Sequence, residues 1–176
     1  TALWQEMRKK KHVSSGLLAI APSFNNASNY VANNASVTIN TIRAGLGALN
    51  FNDEEAEQIC RLFKGHSLVG PSATKEYFLS IVKDFSIVHF STHAKMNQEN
   101  SDYSYLAFTG AEIEKGINVL NINDLYHMSL PLDMVVLSAC ETNKGRLRRG
   151  EGIMSFARGL SAAGVKSVLS TFWVIG

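Results

Sequence analysis

Short, nearly continuous apolar runs alternate along this chain with segments of helical periodicity, and that alternation fixes what it can fold into. The runs are "LLAIAP", "SIVHFST", "DMVVLSA" and "KSVLSTFWVI". A few apolar residues in a row, without polar alternation, suit a strand covered on both faces. Between them, "NFNDEEAEQICRLF" predicts a helix capped by Asn52, with Glu55 reaching back as a capping box and Ala56, Ile59, Cys60 and Phe63 on the inner face. "ATKEYFLSIVKDF" predicts a second helix with Phe78, Ile81, Val82 and Phe85 inward, and "INDLYHM" a small third. "GIMSFARGLSAAGV" predicts a fourth, with Ile153, Phe156, Ala157 and Leu160 on one face. "HSLVG" offers one more short strand and "YSYLAFTG" a further short run. Strands alternating with helices imply an α/β sandwich around a mainly parallel sheet.

With 176 residues, 45% of them hydrophobic, the expectation is one domain, residues 15–176, after a linker or the end of a preceding region over residues 1–14. A formal charge of +2 leaves no electrostatic footprint for nucleic acid, and no apolar run approaches the roughly 20 residues that cross a bilayer. Two cysteines, Cys60 and Cys140, without a secretory leader point to free thiols in the cytoplasm. Cys60 lies on an apolar helical stripe and is expected in the core. The two Asn-Ala-Ser matches at Asn26 and Asn34 are chance sequons in an Asn-rich loop. The start at Thr1 and the strand-like end at Gly176 suggest a piece of a longer protein lacking its C-terminal part.

Right-handed crossovers place the carboxyl ends of parallel strands on one edge of the sheet. His93 follows "IVHFST" and Cys140 follows "MVVLSA", so both reach that edge. If these two strands are neighbours, about 4.8 Å apart, imidazole and thiol approach each other directly. A thiol is mostly protonated at neutral pH; a nearby histidine raises the thiolate fraction and later returns a proton to the leaving amine. His89 shares a face with Ser91 deeper in the strand and is expected to be structural. His12, His66 and His127 fall near element ends and are expected at the surface. No closely spaced Cys/His pair anchors a metal, and no phosphate-binding glycine loop is present.

Taken together, "HFSTHA", "VVLSACET" and "GEGIMSFARGLSAAGVKSVLSTFW" closely resemble the CHAT peptidase domain, a relative of caspases and separases. "LNFNDEEAEQI" and "SATKEYFL" also look like that family's early helix and the approach to its histidine strand, so the resemblance spans roughly residues 16–176. It implies a caspase-like three-layer α/β/α sandwich. His93 precedes Cys140 by about 50 positions, as in caspases. By resemblance Cys140 is the nucleophile, His93 the general base and acid, and the backbone N–H groups of Ala94 and Cys140 the oxyanion hole. Ala94 replaces the glycine common in relatives, which leaves the main-chain donor intact. Glu141 and Thr142, with Gly150 and Gly152, match the turn after the nucleophile and shape the substrate pocket.

In the clan, the residue two before the cysteine lines the pocket for the side chain preceding the cleaved bond. Metacaspases carry an acid there and accept basic residues, whereas this chain has Ser138. Separase-like relatives place an acid just after the last "W-x-V" strand, beyond Gly176, so a basic preference is the expectation. The loop "KGRLRRGEG", with Lys144, Arg146, Arg148 and Arg149, lies where relatives are often processed, and a basic-specific enzyme could cut itself there, although a solvated loop is the simpler reading. The resemblance thus implies an endopeptidase without metal or organic cofactor, acting on a protein substrate. It also implies regulation by a partner or adjoining domain, often helical repeats, and a setting in bacterial defence or cell death. The alternative is a catalytically silent or locked caspase-like interaction module.

Overall fold

The computed structural model describes residues 16–24, 46–97, 100–112, 115–139 and 149–170, with side chains from residue 156 onward in the last stretch. The first strand, β1 (Leu17–Pro22), is buried along its whole length. It is followed by α1 (Asn52–Phe63), β2 (His66–Gly70), α2 (Lys75–Ile81) and β3 (Ile87–Ser91). Three short strands come next: β4 (Ala94–Lys95), β5 (Tyr105–Glu112) and β6 (Ile117–Asn121). The described chain finishes with α3 (Ile122–Tyr126), β7 (Met134–Ser138), α4 (Arg149–Ala162) and β8 (Val168–Ser170).

Five strands form one parallel sheet in the order β2-β1-β3-β7-β8. Side chains alternate across it. Leu17, Ala19 and Ala21 pack on one face beneath Ala56, Ile59 and Cys60 of α1. Leu18, Ile20, Val88, Phe90, Val135 and Leu137 face the other way, against Phe78 of α2, Leu125 of α3 and Phe156 and Leu160 of α4. The result is the three-layer α/β/α sandwich around a mainly parallel sheet expected from the sequence.

An antiparallel sheet, β4-β5-β6, is inserted between β3 and β7. Its docking is specific. The ring of Phe108, on β5, lies 5.4 Å from that of Phe78 and 6.2 Å from that of Phe90. Thr109 accepts a hydrogen bond from the Ser23 N–H at 3.1 Å and donates its hydroxyl to the Gly70 carbonyl at 2.6 Å. Its own N–H goes to Ala73 at 2.9 Å. Strand β5 thereby crosses the carboxyl ends of β1 and β2.

Two expectations for α1 are corrected. Asn52 does not cap the helix: the cap is Phe51, in the left-handed region at φ 64°, and Asn52 is the first helical residue. Its amide instead donates to the carbonyls of Pro22 and Ser91, at 2.9 and 3.3 Å, tying the start of α1 to the ends of β1 and β3. Phe63 is 65% exposed rather than inward. The chain must reach β2 within three residues, so Lys64 adopts φ 53°, and the packing of α1 on the sheet ends at Cys60. Ala157 is half-buried beside Phe156, and the side chain of Ile153 lies outside the described set.

Candidate active site

Strands β3 and β7 are direct neighbours, with Ser91 opposite Ser138 at their carboxyl ends. The condition for bringing the residues after them together is therefore met. Beyond Ser91, Thr92 donates its hydroxyl to the Ala107 carbonyl at 2.6 Å, and the Ala107 N–H donates to the His93 carbonyl at 2.9 Å. Both main-chain groups of one β5 residue thus hold the chain on either side of the imidazole's attachment point.

His93 itself is only 4% exposed. Its ring packs edge-on against Phe24 at 4.7 Å, and its Nε2 lies 2.7 Å from the Gly47 carbonyl. A carbonyl only accepts, so Nε2 carries the proton and Nδ1 is left as the ring's basic nitrogen. Ala94 pairs with Leu106 across β4 and β5. The flanking bond from Ala107 N–H to the His93 carbonyl makes this a non-hydrogen-bonded pair, whose N–H points away from the partner strand. Ala94 therefore presents its amide on the side of β4 away from β5.

One rung below, the strand ends meet α1. Glu55 Oε2 accepts from the hydroxyls of Ser91 and Ser138, the latter at 3.3 Å, and Oε1 lies 3.2 Å from His89 Nε2. Burial acts to raise the Glu55 carboxyl. The hydrogen bonds from His89, Ser91 and Ser138 outweigh it and hold the group below the ordinary glutamate range. His89 is buried and satisfied by this bond, as expected of a structural histidine.

Of the residues singled out in the sequence, His93, Ala94 and Ser138 are brought to the same sheet edge. Cys140, Glu141 and Thr142 lie outside the described residues, as do Lys144, Arg146, Arg148 and the side chain of Arg149, while Gly150 and Gly152 fall in the first turn of α4. Cys60 is half-buried under β1, and burial raises its thiol pKa above the ordinary value, which suits a core role. His66 and His127 are exposed, His66 stacking on Phe85 at 6.1 Å. Among the described residues, no three His, Cys, Asp or Glu side chains gather where a metal could sit. No helix among them is long and apolar enough to cross a membrane.

The roles of Gly47, Ala107 and Glu55 had no clear signature in the sequence. Gly47 and Ala107 act through main-chain groups, which every residue owns. The acidic run "NDEE" signalled Glu55, but its spacing from Asn52 fitted a helix cap equally well.

Comparison with known proteins adds two findings. The family model described as the CHAT domain matches residues 5–176. Tetratricopeptide repeat protein 28 of Mus musculus is 25% identical over 160 residues, covering 73% of this chain. The chain spans about 6% of the length of that mouse protein.

Proposed function

This chain belongs to the CHAT family of caspase-like cysteine peptidases, and from that premise we propose that it is a cysteine endopeptidase using His93 and Cys140. The observation that carries the reading is the bond from His93 Nε2 to the Gly47 carbonyl. It supports a fixed tautomer in which Nδ1 takes the Cys140 proton. The thiolate then attacks the substrate carbonyl carbon, and the carbonyl oxygen becomes an oxyanion received by the N–H groups of Ala94 and Cys140. Collapse of this intermediate breaks the peptide C–N bond, and the imidazolium returns its proton to the departing amine. Water, deprotonated by His93, next attacks the thioester; release of the acid restores the thiol. Ser138, Glu141 and Thr142 shape the pocket for the side chain preceding the cleaved bond.

The substrate in this proposal is a protein. Control comes from an adjoining domain or partner, for which helical repeats are the leading choice, since the mouse relative is by name a repeat protein. Regulated cytoplasmic cleavage in bacterial defence or cell death is the setting the family resemblance suggests.

A peptidyl acyloxymethyl ketone applied to the full-length protein tests the chemistry. Labelling should occur at one cysteine, vanish in Cys140→Ala, fall by roughly 100-fold or more in His93→Ala, and persist in Cys60→Ala. A label that survives Cys140→Ala overturns the assignment. Absence of labelling with partners present leaves the interaction module as the better description.

A further inference from the structure

The inserted sheet has two faces, and its pairing sorts the residues that follow β3 between them. Ala94 and Met96 turn into the sandwich core with Leu106 and Phe108. On the opposite face Tyr105, Ala107 and Val119 form a separate small cluster, on which Phe24 packs. The His93 ring rests against that same Phe24. Side chains alternate along an extended chain, so Lys95 shares this outer face with the imidazole, two residues and about 6.5 Å further on. The lysine is exposed. Directly opposite it stands Tyr105, only 5% exposed, whose phenol is pushed up to about 12 by burial and carries no charge in ordinary assay conditions. Asn121, also uncharged, is next across on β6. Among the described residues no carboxylate pairs with Lys95, whereas Lys75, Lys115 and Lys166 each hold one.

We propose that Lys95 is a specificity-determining residue of the peptidase, its ammonium receiving an acidic side chain from the first two residues after the cleaved bond. This rests on the peptidase reading and concerns the departing portion of the substrate, not the residue before the bond. The chemistry decides which portion meets the lysine. In that reading the imidazole hands its proton to the departing amine, which is the first atom of the carboxyl-side portion. The chain that continues from this amine runs on along the outer face of β4, where Lys95 is the next side chain after His93. An extended peptide advances about 3.3 Å per residue, so the spacing from His93 to Lys95 corresponds to two substrate residues. A free cation there attracts an acid and repels a base. Because the lysine is exposed, the attraction is modest for each pair and is screened by salt.

Three internally quenched peptide libraries test this on the full-length protein. Each is randomised before the scissile bond and carries Glu, Ala or Lys at both of the first two positions after it. The Glu library should exceed the Lys library by roughly fivefold or more in kcat/KM, with the Ala library between them. The ratio should fall toward one at about 1 M salt, where the Debye length is about 3 Å. Lys95→Gln should level the three libraries, and Lys95→Glu should reverse their order. Each comparison is a ratio within one variant, so a general loss of activity does not mimic it. Lys83→Glu, an equal change of charge at an exposed position in the turn after α2, should leave the wild-type order intact. Equal cleavage of the libraries by the wild type, or an order that survives Lys95→Gln, overturns this inference and leaves the peptidase standing. Equal shifts from Lys83→Glu and Lys95→Glu overturn it as well, by reducing the effect to net charge. Labelling at Cys140 without cleavage of any library also overturns it. Failure of both cleavage and labelling overturns the peptidase reading, and this inference with it.

Discussion

Glu55 joins stability to pH, because three side chains depend on its being charged. Its carboxyl is depressed in the folded protein. Such a group adds stability that is fully present above its unfolded pKa and is lost as pH falls through the folded one. Thermal melts of the wild type and Glu55→Gln should therefore differ most near neutrality. The gap should close as the pH drops below about 4. A gap that stays constant from pH 7 to pH 3 would show that shape, and not charge, holds the cluster. The same residue marks what a sequence leaves undecided. Asn52 and Glu55 have the spacing of a capping box, and the polar groups that would close that box are the ones that here bind the strands. His93 was legible because its position after an apolar run implied a place on the sheet edge. Its acceptor, a glycine carbonyl, was not, since no side chain advertises it.

Among the elements, the turn from α1 into β2 leaves no room for a side chain at Gly65. A Cβ added at Gly65 would stand 2.6 Å from the Leu17 carbonyl oxygen and 3.0 Å from its Cδ2. The carbonyl is backbone in the central sheet and cannot swing aside, so Gly65→Ala should cost about 1–3 kcal/mol, read as a lowered midpoint in chemical denaturation. The parallel strands and α2 were legible because apolar runs and a 3.6-residue period survive in any context. Strands β4 and β6 were not. The first has two residues, too few for a period, and the second runs straight into α3 opposite an irregular stretch of β5 between Ala107 and Glu112. Phe63 fitted the period of α1 yet lies outside the core, since periodicity says which way a residue faces and not where the sheet stops.

At the scale of the whole molecule, the two sheets share one core through Phe78, Phe90 and Phe108, each fully buried and each from a different element. Phe108→Ala removes the ring that the inserted sheet contributes. It should cost about 3–5 kcal/mol, and loss of the His93 environment should accompany it. Near-ultraviolet circular dichroism and equilibrium denaturation measure the two effects separately; unchanged stability would mean that the sheets are held by the hydrogen bonds of Ala107 and Thr109 and not by the ring. The layered architecture was legible from the order of strands and helices, whereas this junction depends on contacts between residues far apart in sequence. Ala107 turns the junction into a machine part. Its amide and carbonyl grip the main chain of His93 and the side chain of Thr92, so the β5–β6 ribbon and the imidazole are mechanically joined. In the proposed peptidase, a push on the ribbon would therefore tilt the base while touching neither reacting side chain.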